Sequence, residues 1–248
     1  MEKETQSYSY SKTVKICGVE EKEVRDKIRD LMEEQKQLKV TIQSCPGEVA
    51  VQVEASGEQE EKVKGPVKAM VRELKIRFGS SIFTTNAKVT LEETIVQLLK
   101  EQNMTITTVE SCTGGMLSAR LTDVAGVSEV FKQGYVTYSN KAKRKLIGVK
   151  KMTLKKYTAV SEQTAWEMAR GGAFLTGADV CISVTGYAGP ETGDEEQPVG
   201  LVYIGCNVKG KIEVKEFHFK GDRRRIRELA TVNALIVLRR WILENYKI

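Results

Sequence analysis

Histidine is almost absent from this chain of 248 residues, which contains only His218. A Ser-His-Asp triad would have to use that single residue, and a metal site built from several histidines is excluded. The five cysteines contain no C-x-x-C pair, and their odd number argues against a disulfide framework and against a zinc knuckle. We therefore expect free thiols and neither a metal nor a cofactor.

Long hydrophobic runs are absent too. No apolar run approaches the roughly 20 residues that span a bilayer, and the first residues, Met1 to Thr5, lack the basic start and apolar core of a signal peptide. These absences predict a cytoplasmic protein without a membrane partner. Hydrophobic residues form 41% of the chain and charged residues 29%, as in ordinary globular proteins.

The net charge of +6 suits an acidic partner such as a phosphorylated ligand. Much of this charge comes from two short basic runs, residues 141–151 and 223–227. Solvated helix faces explain such runs as well as binding sites do. Charge alone therefore does not decide between the two interpretations.

Residues 1–85 predict a small α+β domain of the order βαββα. Strand-like alternation covers residues 12–17, 38–43 and 48–54, and charged helical patterns cover residues 20–35 and 58–78. Pro46 and Gly47 fall between the second and third strands, where a hairpin turn is expected. The polar residues 79–88 are typical of a linker.

Residues 86–248 predict a three-layer α/β/α domain with a mixed sheet. Thr90 and Glu93 form a capping box that begins a helix. The other expected helices are 115–123, 161–175 and 222–246, and the expected strands are 105–110, 131–138, 179–185, 201–208 and 211–219. Alternation of strands and helices, followed by a hairpin, favours this class of fold.

The segment Glu110 to Gly115 lies between a predicted strand and a predicted helix. Its small residues, among them Gly114 and Gly115, allow backbone N–H groups and a helix terminus to approach a phosphate or a developing oxyanion. Ser111 is the candidate nucleophile, and Thr113 supplies a second hydroxyl. A tight turn with a serine N-cap explains the same residues equally well.

A second segment, Tyr135 to Lys143, runs from another strand end into a helix. A serine nucleophile needs a base, and a lysine whose pKa is lowered by desolvation is the available alternative to histidine. Lys143 could point back to the strand end, and Tyr138 could orient it or relay the proton. The residues alone favour a solvated lysine, because Lys141, Arg144 and Lys145 surround it.

A third segment, Thr185 to Pro190, is followed by a polar loop that includes residues 191–197. Thr185 offers a hydroxyl at the strand end, and Gly186 and Gly189 permit close approach of a ligand to the backbone. A plain loop is the alternative. Arg223 could meet a phosphate, although a solvated arginine run explains it as well.

Five segments occur together in one order: Glu-Ser-Cys-Thr-Gly-Gly from residue 110, Tyr-Ser-Asn-x-x-Lys from 138, Ala-Val-Ser from 159, Thr-Gly-x-Ala-Gly-Pro from 185 and Pro-Val-Gly from 198. Over residues 89–248 the chain closely resembles the C-terminal domain of the bacterial CinA family, also known as the nicotinamide-mononucleotide deamidase PncC. Residues 12–85 resemble the small middle domain of longer members. The pyrophosphatase activity associated with the large N-terminal domain of those members is not expected here.

The resemblance implies metal-independent hydrolysis of nicotinamide mononucleotide to nicotinate mononucleotide and ammonia, in pyridine-nucleotide salvage. It implies that Ser111 attacks the amide carbon and that Lys143 is the general base, supported by Tyr138. Thr113 and the backbone at Gly114 and Gly115 would stabilise the oxyanion or anchor the substrate. The substrate pocket would also include Asn140, Thr185, Gly186, Gly189 and Arg223.

Two other functions stay open. A non-catalytic nucleotide-binding or competence-associated interaction module would bind a ligand without releasing ammonia. A nucleic-acid-binding front domain of the KH kind is the least expected, because that fold grips RNA with a G-x-x-G loop and residues 1–85 contain none. An apolar stripe on the last helix, if exposed, would favour a homodimer.

Overall fold

The computed structural model describes residues 7–191 and 198–246. The chain divides into two compact units, residues 1–91 and 92–248, whereas the sequence placed the boundary at residues 85/86. Most of the polar loop predicted at residues 191–197 lies outside the described residues.

The first unit is a four-stranded antiparallel sheet with two helices on one face. Its elements are β1 (Tyr8–Cys17), α1 (Glu21–Glu34), β2 (Lys39–Cys45), β3 (Glu48–Gly57), α2 (Glu60–Phe78) and β4 (Ile82–Thr84). The sheet order is β2-β3-β1-β4. Alternate residues of β3, such as Val51 and Val53, are fully buried against Ile28 of α1 and Met70 of α2, as the period of two predicts.

The second unit contains a five-stranded mixed sheet. Its elements are α3 (Leu91–Glu101), β5 (Ile106–Glu110), α4 (Met116–Thr122), β6 (Phe131–Val136), α5 (Asn140–Ile147), α6 (Lys151–Tyr157), α7 (Glu162–Thr176), β7 (Val180–Gly186), β8 (Leu201–Val208), β9 (Lys211–His218) and α8 (Arg223–Asn245). The strand order is β6-β5-β7-β8-β9. Strands β6, β5 and β7 are parallel, and β8 and β9 are antiparallel to their neighbours.

Helices cover both faces of this sheet. On one face, α7 approaches so closely that a Cβ atom on Gly172 would lie 2.5 Å from Val109 Cγ2 and 2.6 Å from Cys181 Sγ. On the other face, Thr108 of β5 pairs with Ser118 of α4 at 2.7 Å between the hydroxyl oxygens. Helix α8 contacts α4, β7 and β8. The predicted three-layer α/β/α domain with a mixed sheet is confirmed.

The three parallel strands end at one edge of the sheet, which we call the carboxyl edge. Glu110, the last residue of β5, pairs with Val136 of β6 and with Val184 of β7. The segments that follow these strands therefore leave the sheet side by side. Ligands of α/β sheets bind at this kind of edge.

Two short elements depart from the prediction. β4, three residues long, lies inside the predicted linker and pairs with Lys15 and Ile16. α6 was not predicted, because it has no side-chain cap and buries only Thr153, whereas α4 of the same length buries Leu117 and Leu121 at helical spacing. Both elements depend on contacts with distant segments.

The exposed apolar stripe on α8 that would have favoured a homodimer is not found in the described part of this helix. Among the described residues, no large hydrophobic side chain of α8 is exposed, whereas Leu146, Met152 and Phe174 on α5, α6 and α7 are. Four of the five free cysteines are buried, and Cys45 is exposed. No helix among residues 7–191 and 198–246 is long and apolar enough to cross a membrane.

Gly171 sets the distance between α7 and α5. A Cβ atom at this position would lie 1.9 Å from the carbonyl oxygen of Ile147, a backbone atom that cannot rotate away. We expect Gly171→Ala to lower the free energy of unfolding by at least about 2 kcal/mol, as overpacking does. Urea denaturation followed by tryptophan fluorescence measures it, because Trp166 and Trp241 both lie in this unit.

The matched control is Phe174→Ala on the same helix, where the side chain is 85% exposed. Its effect should stay within about 0.5 kcal/mol. Equal midpoints for the parent and Gly171→Ala would show that the two helices are not in close contact.

Candidate active site

The loop at residues 111–115, here called the serine loop, leaves β5 at the carboxyl edge. The amide of Ser111 donates to the carbonyl of Val184 at 2.9 Å. Gly114 and Gly115 have φ angles of +60° and +98°, in the region that favours glycine. Gly115 is the N-cap of α4, so the interpretation of Ser111 as a serine N-cap is wrong.

The buried carboxylate of Glu110 binds the far side of this loop. It accepts hydrogen bonds from the amides of Gly115 and Leu117 at 3.0 Å each, and from the amide and hydroxyl of Ser118 at 2.8 Å and 2.6 Å. Glu110 has no exposed surface. The sequence did not predict this role, because glutamate at a strand end gives no signal for a contact with the following helix.

Lys143 extends from α5 into the base of the serine loop. Ser139 caps α5 by accepting a hydrogen bond from the amide of Ala142. The amine of Lys143 donates to Ser111 Oγ at 2.8 Å and to the carbonyl of Thr137 at 2.9 Å, and the residue is only 1% exposed. The interpretation of Lys143 as a solvated lysine is wrong, although its neighbours Lys141 and Lys145 are exposed.

Burial lowers the pKa of Lys143 from 10.5 to about 8. Its two hydrogen-bond partners, a hydroxyl and a carbonyl, carry no negative charge that would hold the proton. The same environment raises the pKa of the adjacent Cys112 thiol to about 11, mainly by desolvation. Near pH 8 the site therefore holds a largely neutral thiol beside an amine that is neutral in about half of the molecules.

Thr113 is fully buried, and its hydroxyl is the one buried side-chain polar atom without a hydrogen-bond partner among the described residues. The expected contact between Thr113 and a substrate is therefore not supported by the structure, since the hydroxyl is not open to solvent. The carbonyls on either side of this position are held by Arg227 of α8, which donates to Cys112 O at 3.0 Å and to Thr113 O at 2.8 Å.

Arg227 was missed by the sequence analysis. The available signal was the basic run 223–227, in which Arg223 and Arg227 are four residues apart and share one face of a helix. Both arginines indeed point to the carboxyl edge, since each donates to a segment that leaves it.

At the rim of the site, Arg223 connects the segment that contains Tyr138 to the segment that contains Gly189. Its guanidinium donates to the carbonyl of Gly189 at 2.5 Å and to the hydroxyl of Tyr138 at 3.0 Å. Tyr138 is 62% exposed. In the described part of the chain its hydroxyl bonds Arg223 rather than Lys143, so the structure does not bring Tyr138 to the amine that it was expected to support.

Thr185 and Gly186 lie at the carboxyl edge, but both also have structural roles. The hydroxyl of Thr185 donates to Ala159 O at 2.7 Å. A Cβ atom on Gly186 would lie 2.7 Å from Leu201 O, so this glycine is needed by the neighbouring strand. Asn140 is exposed at the start of α5.

His218 lies outside this site. It is on β9, where its ring bonds Glu216 at 2.7 Å and its side chain is 60% exposed. Residues 7–191 and 198–246 contain no group of three or more His, Cys, Asp or Glu side chains that could hold a metal ion. The serine loop and the segments beside it are contacted by three basic side chains, those of Lys143, Arg223 and Arg227. The carboxylate of Glu110 lies on the far side of the loop and is fully buried, so the basic groups at the carboxyl edge suit an anionic ligand.

The fold and this site define an α/β domain with a buried serine–lysine pair at the carboxyl edge of its parallel strands. The chain belongs to the CinA family. The model of the CinA C-terminal domain matches residues 88–242, and that of the damage-inducible protein CinA KH domain matches residues 11–84.

The relatives agree with this assignment. A protein of Clostridium novyi (strain NT), named for competence-damage induction, is 44% identical over 236 residues, which are 95% of this chain and 57% of the relative. A CinA-like protein of Dictyoglomus turgidum is 41% identical over 94% of this chain and 57% of its own length. The chain thus spans little more than half the length of these curated relatives.

Solved structures of CinA-family proteins resemble about three fifths of this chain. A competence-damaged protein (CinA) superfamily protein from Klebsiella pneumoniae is 36% identical, with a TM-score of 0.61 over 63% of this chain and 97% of that chain. A competence/damage inducible protein from Agrobacterium tumefaciens is 39% identical, with a TM-score of 0.58 over 60% of this chain and 91% of that chain.

Proposed function

We propose that the second unit hydrolyses the carboxamide of nicotinamide mononucleotide and releases nicotinate mononucleotide and ammonia, as part of pyridine-nucleotide salvage. The observation that carries this proposal is the 2.8 Å contact between the buried amine of Lys143 and Ser111 Oγ. A hydroxyl with a partly neutral amine beside it is an activated nucleophile. The choice of substrate rests on the five segments that resemble the deamidase family.

In the first step, Ser111 Oγ bonds to the amide carbon while the neutral amine of Lys143 takes the hydroxyl proton. The amide oxygen becomes an oxyanion in the tetrahedral intermediate. The cation formed on Lys143 is then close to that negative charge. Its second hydrogen bond, to the carbonyl of Thr137, keeps the amine aimed at the serine.

In the second step, Lys143 returns the proton to the amide nitrogen, and the C–N bond breaks. Ammonia leaves, and the nicotinoyl group stays bound to Ser111 as an ester. Water deprotonated by Lys143 then attacks this ester, which releases the carboxylate and restores the hydroxyl. One base therefore serves both half-reactions.

The nucleotide phosphate fits the basic rim of the site. Arg223 is exposed and donates to the carbonyl of Gly189 and to the hydroxyl of Tyr138. A phosphate can replace either of these two acceptors. Arg227 is committed to the serine loop. Arg223 is therefore the arginine that we assign to the phosphate, and we assign the exposed Asn140 at the start of α5 to the same pocket.

The direct test incubates the whole chain with nicotinamide mononucleotide in the presence of EDTA and measures ammonia. We expect steady release of ammonia and stoichiometric formation of nicotinate mononucleotide, because Lys143 supplies the base without a metal. Nicotinamide riboside, which lacks the phosphate, should react with a KM raised at least about tenfold. Absence of ammonia from the nucleotide would contradict the proposal.

The names of the relatives favour a second candidate, a competence-associated binding module. Such a module would bind nicotinamide mononucleotide in a calorimetric titration and leave it intact. We do not propose nucleic-acid binding for the first unit, since residues 11–84 match a KH model but contain no G-x-x-G loop.

A further inference from the structure

We propose that Glu110 is a positioning residue for Ser111, an inference that rests on the proposed hydrolase function. Its carboxylate fixes the shape of the serine loop, and its backbone fixes the segment that leads to Lys143. Glu110 has no exposed surface, so it acts through the loop and does not touch the substrate. One buried residue, through its side chain and its backbone carbonyl, thereby sets the distance between nucleophile and base.

The carboxylate closes the serine loop into a ring. It precedes Ser111 in the chain and bonds Gly115, Leu117 and Ser118 on the other side of the loop, with four hydrogen bonds of 2.6–3.0 Å. Hydrogen bonds to a charged acceptor are stronger than those between neutral groups. The two ends of the loop therefore cannot separate without breaking several of these bonds.

The backbone of the same residue holds the segment before Lys143. The carbonyl of Glu110 accepts a hydrogen bond from the amide of Thr137 at 2.7 Å. The carbonyl of Thr137 in turn accepts from the amine of Lys143. Glu110 thus bonds both the loop that carries the serine and the residue that orients the base.

A second layer supports the carboxylate. Ser118, which donates to Glu110, is also paired with Thr108 at 2.7 Å. A Cβ atom on Gly134 of β6 would lie 2.5 Å from Thr108 Oγ1 and 2.9 Å from Ser118 Oγ, so the glycine leaves room for this pair. Such a supporting network is more than a helix cap requires.

The test compares Glu110→Gln with the parent in kcat, KM and amide hydrogen exchange. All four partners of the carboxylate are hydrogen-bond donors. Glutamine keeps the size of the side chain, but its NH₂ group is itself a donor and would face a backbone N–H or a hydroxyl without an acceptor. We expect kcat to fall about 10- to 100-fold with KM within about twofold, since a misplaced nucleophile is costly. Amides of Gly115 and Leu117 should exchange faster.

Asp179→Asn is the matched control. Its carboxylate also accepts from a backbone amide and a hydroxyl, those of Thr105 at 2.8 Å and 2.9 Å, but at the opposite end of β5. It should lower the thermal midpoint and keep kcat within about twofold of the parent. If Glu110→Gln does not fold, Ser118→Ala removes one of the four donors and should lower kcat several-fold.

A readout independent of the substrate is the rate at which a fluorophosphonate labels Ser111, with displacement of fluoride by the serine oxygen. Slower labelling of Glu110→Gln than of Asp179→Asn supports the proposal even if nicotinamide mononucleotide is not turned over. Glu110→Gln could instead keep the labelling rate and the kcat of the parent while its loop amides exchange faster. Glu110 would then be a structural residue, and the proposed positioning role would be wrong. A parent that neither releases ammonia nor is labelled would overturn both proposals.

Discussion

Ser111→Ala is expected to lower kcat for nicotinamide mononucleotide by roughly 10³- to 10⁶-fold, the range seen when a nucleophile is removed from a hydrolase that uses one. The covalent intermediate cannot form without the hydroxyl. KM should change by no more than a few-fold, because the residue is only 8% exposed and contributes little surface to a ligand. Initial rates of ammonia release over a range of substrate concentrations measure both constants.

Ser128→Ala is the control for this substitution. Ser128 is exposed and lies in the same unit, so its variant should keep the parental kcat. If Ser111→Ala released ammonia at more than about a tenth of the parental rate, water would be the nucleophile, and the covalent mechanism would be wrong.

Lys143→Met is expected to lower kcat by roughly 10²- to 10⁴-fold, the usual contribution of a general base. Methionine fills the buried volume without an amine, so Ser111 loses its base while the packing is kept. The variant should be no less stable than the parent near neutral pH, since a buried cation is replaced by an apolar side chain. Ammonia release and urea denaturation together separate loss of chemistry from loss of fold.

The matched control is Lys145→Met, two residues along the same helix but exposed. It should retain kcat within about twofold. An active Lys143→Met variant would remove Lys143 from the mechanism and would leave the contact with Ser111 as a structural hydrogen bond.

The pH dependence of the parent follows from the lowered pKa of Lys143. The amine must be neutral to accept a proton, so kcat/KM should rise about tenfold per pH unit below the pKa of about 8 and level off above it. A lysine with its ordinary pKa of 10.5 would give a rise that continues beyond pH 9. A profile that falls between pH 7 and pH 9 would show that the protonated amine is the active form.

Most of the fold was predictable because its long elements follow simple periods. The buried strand at Val180–Gly186 is rich in β-branched residues, and Ser161 caps the helix that the spacing predicts. β4 was not predicted because it has only three residues, and α6 was not predicted because it has no apolar residues buried at helical spacing. Their positions depend on residues far away in the chain.

The site was predictable to the extent that its chemistry is local. Ser111 and Lys143 follow strand ends, and parallel strands bring those ends to one edge. Helical spacing places Arg227 on the same face as Arg223, but its partners Cys112 and Thr113 were not predictable, since they lie on a distant segment. Tyr138 was assigned to Lys143 because the two are close in sequence, but its hydroxyl accepts a hydrogen bond from Arg223. Residue spacing cannot choose between two partners that both lie within reach.

Glycine at position 171 constrains how this site can be engineered into another protein. Lys143 lies one turn before Ile147, whose carbonyl is the atom that a larger residue at position 171 would strike. A helix pushed outward at Ile147 would carry the amine away from Ser111. Anyone who grafts this serine and lysine onto another α/β protein must therefore transplant the glycine as well, although it belongs to a different helix and takes no part in the reaction.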